Sequence, residues 1–136
     1  MRVFLDANIL FSASSPTSRT FFLLSVLREH GELVTSPYAV EEAAKNLGRK
    51  MPPEALYHFD AVIRLCEVSS DTASVLDVQL PLKDRPILAG AVGSKATHLL
   101  TGDKTDFGHL FGETIRGVKV VSPQMMADEI VALGWI

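Results

Sequence analysis

The chain has 136 residues, 47% of them hydrophobic and 21% charged, a balance that suits one globular domain spanning 1–136 and excludes a disordered chain. A formal net charge of −3 and a pI near 5.8 exclude a protein that grips nucleic acid through a broad basic surface, although metal cations bound locally would reverse the sign at one site. The single cysteine, Cys66, excludes an internal disulfide and a cysteine-rich zinc site, and it suits a reducing cytoplasm.

The opening MRVFLDANILFSASS imitates a signal peptide, but Asp6 and Asn8 interrupt its apolar stretch. No apolar run approaches the ~18 residues that cross a bilayer, so no membrane association is expected. RVFLD reads as a short buried strand, and SRTFFLLSVLREHG as an apolar helix closed by Gly31. ELVTS is the next strand. SPYAVEEAAKNLG then reads as a helix with Ser36 as cap, Pro37 at its first position and Gly48 as its stop. Beyond the Pro52-Pro53 break, PEALYHFDAVIRLC is a helix and CEVSS a candidate strand. DRPILAGAVGSKA opens on Asp84 and carries small and apolar residues suited to packing a helix closely on a sheet. THLLTGD and VKVVS are strands, and SPQMMADEIVALG is a helix capped by Ser122. This alternation predicts an α/β fold: a mostly parallel central sheet, right-handed crossovers, and helices on both faces.

In such a sheet, ligands bind outside the carboxyl ends of the strands. Asp6 and Asp103 end two strands, Asp84 opens one helix, and Glu42 lies about one and a half turns into another. Asp106 follows in the loop or first turn beyond Asp103. Each has a plain structural role open to it: Asp6 and Asp84 as helix caps, Asp103 as a turn residue, Glu42 as one of two adjacent glutamates on a solvated helix face. Their joint placement argues for more. Two carboxylates ~5 Å apart at an effective dielectric of ~20 repel by roughly 3 kcal/mol, so a convergent set calls for a cation or a retained proton. Oxygen-rich sets of this kind suit Mg²⁺ or Mn²⁺.

The pieces FLDANIL, TSPYAVEEAAKNL, LKDRPILAGAV and LLTGDKTDF, in this order, resemble the PIN-domain family of metal-dependent ribonucleases across nearly the whole chain. The closest resemblance is to small stand-alone members, many of them toxins of the VapBC toxin–antitoxin type. The resemblance implies a PIN-like fold that hydrolyses RNA phosphodiesters. Asp6 and Asp103 would be direct metal ligands, Glu42 and Asp84 ligands directly or through water, and Asp106 an auxiliary ligand or an acid behind the ligands. It favours Glu42 over Glu41, and it implies a cognate antitoxin partner and a homodimer. Asn8, Ser36 and Thr101 are positioned to orient these carboxylates by hydrogen bonds, while Asn8 and Ser36 serve equally as caps.

The remaining polar residues carry less. His30, His58, His98 and His109 show no metal spacing, and Cys66 suits core packing. Lys83, Arg85 and Lys104 adjoin the acids and either meet phosphates or balance charge. TFFLLSVL and QMMADEIVALGWI, which carries Trp135 and Ile136, offer apolar faces for a second copy. A phosphoacceptor receiver domain would need an acidic pair after the first strand and a late Lys-Pro; neither is present. An Asp-x-Asp phosphatase fails because Asn8 stands where the second acid belongs. A PIN-like fold serving as a non-catalytic RNA- or protein-binding module, or a non-toxin RNA-processing nuclease, is the alternative.

Overall fold

A computed structural model describes residues 1–50 and 54–136, so the Pro52-Pro53 break lies outside the described residues. In chain order the elements are β1 (Arg2–Leu5), α1 (Ala7–Ala13), α2 (Arg19–His30), β2 (Glu32–Thr35), α3 (Pro37–Lys50), α4 (Glu54–Arg64) and β3 (Cys66–Val68). They continue with α5 (Arg85–Gly93), β4 (His98–Leu100), α6 (Lys104–Phe107), a 3₁₀ turn (Gly108–Leu110), β5 (Thr114–Ile115), β6 (Val118–Val121) and α7 (Pro123–Ala132).

The strands form one six-stranded sheet in the order β3-β2-β1-β4-β6-β5, parallel throughout except for β5 against β6. This is the mostly parallel α/β arrangement expected from the alternation of strands and helices, and it agrees with a PIN-like fold. Neighbouring residues of a strand point to opposite faces, and Val3, Phe4 and Leu5 of β1 are all buried, as are His98, Leu99 and Leu100 of β4. Both faces of the central strands are therefore covered, as a parallel sheet requires. Among the described residues no helix is long and apolar enough to cross a membrane.

Three local features depart from the sequence reading. The segment after Asp6 forms α1 at once, because the Asp6 carboxylate accepts from the Ala7 amide at 2.6 Å and supplies the cap. Gly48 does not stop α3, which runs to Lys50; nothing crowds the glycine, and the backbone there stays helical. A short antiparallel hairpin, β5–β6, turns at Arg116 and Gly117 with φ of 49° and 85°. Arg-Gly is a weak form of the turn signal that Asn-Gly gives strongly.

The stretch between β3 and α5 has no regular element, yet it is pinned along its length. Val75 and Leu80 enter the core, and Arg85 donates to the carbonyls of Leu76 and Leu80 at 3.2 and 3.3 Å. The Ala73 amide donates to the Ala89 carbonyl at 3.1 Å. Gly93 lets this stretch reach α5, because a Cβ there would lie 2.4–2.6 Å from the Thr72 backbone. Backbone cannot swing aside as a side-chain tip can, so Gly93→Ala should cost about 1–3 kcal/mol and lower the melting temperature by roughly 3–10 °C. Thermal denaturation followed by circular dichroism measures this directly; an unchanged melting temperature would contradict the close approach.

Candidate metal centre

The chain leaves β1 in one direction to build β2 and β3 and in the other to build β4 and β6, so the switch point of the sheet lies between β1 and β4. Their register pairs Leu5 with Leu100, and the Asp6 amide donates to the Leu100 carbonyl at 3.1 Å. Asp6 and Thr101 thus leave the sheet side by side at the crevice where open α/β sheets take ligands.

Asp6 is 5% exposed and well supplied with donors. Its Oδ1 accepts from the Ala7 amide at 2.6 Å, and its Oδ2 accepts from the Thr101 hydroxyl at 2.7 Å and from Asn8 Nδ2 at 3.1 Å. That leaves Oδ1 the freer oxygen. Burial pushes the Asp6 carboxyl above its ordinary value, while the hydrogen bonds from Thr101, Ala7 and Asn8 pull it down and the Asp103 charge pushes up again.

Thr101 and Asn8 do the positioning. The Thr101 hydroxyl donates to Asp6 and accepts from the Asp103 amide at 3.1 Å and from Asn8 Nδ2 at 3.4 Å, which uses its full bonding capacity. Asn8 Oδ1 accepts from the Gly102 amide at 2.8 Å. A Cβ on Gly102 would crowd this oxygen at 3.3 Å. The Thr-Gly-Asp turn and the Asp-x-Asn turn are therefore locked together. Ser36, by contrast, accepts from the Ala39 amide at 3.2 Å as the cap of α3, and among the described residues it forms no hydrogen bond to a site carboxylate.

Asp84, Asp103 and Asp106 each bring a carboxylate oxygen within 4.8 Å of the other two. Asp103 caps α6, its Oδ1 accepting from the Asp106 amide at 3.0 Å. Asp84 precedes α5 but makes no side-chain capping bond; it is 8% exposed and its buried Oδ2 has no hydrogen-bond partner among the described residues. Burial first, then the Asp106 and Asp103 carboxylates, push Asp84 up to about 7. Asp106 is held below the usual carboxylate range, first by its hydrogen bond with Asp84 and then by the Lys83 ammonium.

The fourth wall of the cleft is α3. Tyr38, Glu42 and Asn46, spaced four apart, line a cleft of about 190 Å³ together with Asp6, Asn8, Lys83, Asp84 and Asp103. Glu41 points elsewhere: it is exposed and pairs with Lys45 at 3.6 Å. The structure thus brings Asp6, Glu42, Asp84 and Asp103 to one cleft, with Asp106 joined to Asp84 and Asp103. Tyr38 and Asn46 escaped the sequence reading, although their spacing from Glu42 was the available signal. None of the histidines lines the cleft.

An orphaned, buried carboxylate oxygen inside a group of three acids fits a hard divalent cation, which takes oxygen ligands and removes the repulsion. The fold and the cleft define a mostly parallel α/β domain with a cluster of carboxylates at its switch point that could hold a metal ion. Among solved structures, the chain is similar to one described as VapBC2 from Rickettsia felis bound to a DNA fragment from their promoter. The TM-score is 0.66 at 16% identity, covering 90% of this chain and 98% of that one. No family model matches the sequence, and no curated protein does.

Two outcomes follow from the geometry. Unfolded Asp84 loses its proton near 3.8, whereas folded Asp84 keeps it to about 7, so the native state holds the extra proton and loses stability as pH rises through that window. The opposite shift of Asp106 acts only below that window. In chelator, Asp84→Asn should therefore raise the melting temperature at pH 7.5 by a few degrees, on the order of 1 kcal/mol, and much less at pH 5. A pH-independent difference would contradict the shift. Thr101→Val keeps the shape but removes a hydrogen bond to a buried carboxylate, and should cost about 1.5–3 kcal/mol at pH 7.5 by urea denaturation.

Proposed function

We propose that the chain is a divalent-metal-dependent endoribonuclease that uses Mg²⁺ or Mn²⁺ and acts as the toxin of a type II toxin–antitoxin pair. The observation that carries this reading is Asp84, a buried acid with an unpartnered oxygen beside Asp103 and Asp106 in the cleft that Asp6 and Glu42 also line. A bound cation would supply water activation and charge stabilisation to a phosphodiester. Asp6, held by Thr101 and Asn8, offers Oδ1 as a fixed ligand, and Asp84 and Asp103 offer oxygens across the cleft. Glu42 reaches the same space from α3. Tyr38, whose hydroxyl burial and then Glu42, Asp84 and Asp6 push up, remains a protonated donor at the rim.

The partner and assembly belong to the same proposal. Likeness to a VapBC2 structure supports a cognate antitoxin. A homodimer is supported by the apolar groove of about 290 Å³ between α2 and α7, where Phe22 is 60% exposed and Ile136 is also open. Trp135 is already engaged within the chain, stacked on His30 with ring centres 4.6 Å apart.

Incubation of structured and unstructured RNA with Mg²⁺ or Mn²⁺ tests the reading. Cleavage should stop with chelator and fall at least about a hundredfold in Asp6→Asn and Asp84→Asn, beyond the usual cost of losing an outer hydrogen-bond partner of a metal ligand. Mn²⁺ at a hundred times its dissociation constant should stabilise the unsubstituted chain by about 2.7 kcal/mol, read as a raised melting temperature, and far less in the variants. Cleavage that survives both chelation and substitution would overturn the assignment. Absence of growth arrest on induced expression would favour the binding-module alternative.

A further inference from the structure

The sequence sets three cations beside the acids, and the tertiary structure separates them. Arg85 turns away to the carbonyls of Leu80 and Leu76. Lys104, at the start of α6, does not line the cleft. Lys83 does, alongside Asp6, Glu42, Asp84 and Asp103, and among the described lining residues it is the one cation. Its Nζ lies 3.4 Å from Asp106 Oδ2, with the side chain 72% exposed. Its root is anchored, because the Tyr38 hydroxyl donates to the Lys83 carbonyl at 2.6 Å and ties it to α3. A flexible four-carbon stem thus carries an ammonium from a fixed point at the cleft rim.

Asp106 is contested. It pairs with Lys83 and also belongs to the oxygen cluster with Asp84 and Asp103. An exposed lysine–carboxylate pair is worth less than about 1 kcal/mol, so a divalent ion drawing on the same carboxylate displaces it readily. The carboxylates that line the cleft also repel a phosphate until a cation offsets them.

We propose that Lys83 is a metal-gated phosphate contact: Asp106 holds its ammonium while the acidic cluster lacks a cation, and occupation of the cluster frees it for a non-bridging oxygen of an RNA phosphate in the cleft. This rests on the ribonuclease reading and adds to it the residue that receives the substrate backbone. Lys83 is then a competitor of the metal and an ally of the RNA, so its removal moves the two affinities in opposite directions. A lysine that merely supported the fold would not do so, and one acting only through its charge would weaken the oligonucleotide in chelator as well as in Mn²⁺.

The experiment measures two bindings and no turnover. Mn²⁺ alone is titrated by calorimetry into the unsubstituted chain, Lys83→Gln and Lys104→Gln. A 2′-O-methyl, phosphorothioate-linked single strand, verified intact by electrophoresis, is titrated by fluorescence anisotropy with Mn²⁺ and with chelator. Lys83→Gln should tighten Mn²⁺ several-fold. With Mn²⁺ present it should weaken the oligonucleotide about tenfold and reduce the salt slope by about 0.7, the signature of one lost phosphate contact. In chelator its effect on the oligonucleotide should be under about twofold, and Lys104→Gln should change neither affinity by more. Equal oligonucleotide affinity for the unsubstituted chain and Lys83→Gln, with Mn²⁺ binding intact, overturns the Lys83 assignment while leaving the ribonuclease reading standing. An equal loss in Mn²⁺ and in chelator overturns the gating, as does Mn²⁺ affinity that Lys83→Gln leaves unchanged. An unsubstituted chain that binds Mn²⁺ but no oligonucleotide, or no Mn²⁺ at all, overturns both.

Discussion

The pairing of β1 with β4 is the constraint on which the rest of the molecule depends. It sets Leu5 opposite Leu100, and the next residue of each strand, Asp6 and Thr101, then leaves the sheet at the same height. The 2.7 Å hydrogen bond between them closes the gap, and Asn8 binds the two turns by holding Asp6 with its amide nitrogen and Gly102 with its amide oxygen. A slip of one residue would reverse the faces of every side chain in β1, sending Asp6 out of the cleft and Phe4 off its packing against Gly90. The apolar cost of that slip is what fixes the acid in place. Burial of Val3, Phe4 and Leu5 thus serves the site as well as the core.

The two ends of the sheet are treated in opposite electrostatic ways. At the amino end, charges are paired: Arg2 bridges Glu32 and Glu67 across three strands and donates to the Ser94 carbonyl at 2.8 Å. There His98 sits between Thr97 and Glu129, each at 2.8 Å, with Lys119 3.7 Å from the same glutamate. At the carboxyl end, acids converge, and among the described residues lining the cleft Lys83 is the one cation against them. Paired charges hold the fold, whereas a concentration of one sign stores repulsion that a bound cation removes. Burial first, and then Asp106 and Asp103, raises Asp84, whereas the hydrogen bond with Asp84 and the Lys83 ammonium hold Asp106 low.

The long stretch between β3 and α5 also serves the cleft. Its contacts with Arg85 and Gly93 fix the approach to α5, and Asp84 and Lys83 sit at that approach. Tyr38 adds the link from α3, so that Glu42 and Asp84 face each other from elements joined by a hydrogen bond as well as by packing.

Much of this was already legible in the sequence, because local rules act on neighbouring residues. Apolar runs broken by Pro and Gly marked the strands and helices, Ser36 and Ser122 marked two caps, and acids at strand ends marked Asp6 and Asp103. The hairpin at Arg116 and the helix α1 were not legible, since the first lacks a strong turn pair and the second begins on a residue that also ends a strand. What the chain alone left open was direction. Glu41 and Glu42 are adjacent and equally acidic, and only the packing of Ala39, Ala43 and Leu47 into the core turns Glu42 to the cleft and Glu41 to Lys45. Lys83, Arg85 and Lys104 are likewise alike in charge and near in sequence. Which of them faces the acids depends on contacts with residues far along the chain, and those contacts exist only when the sheet has assembled.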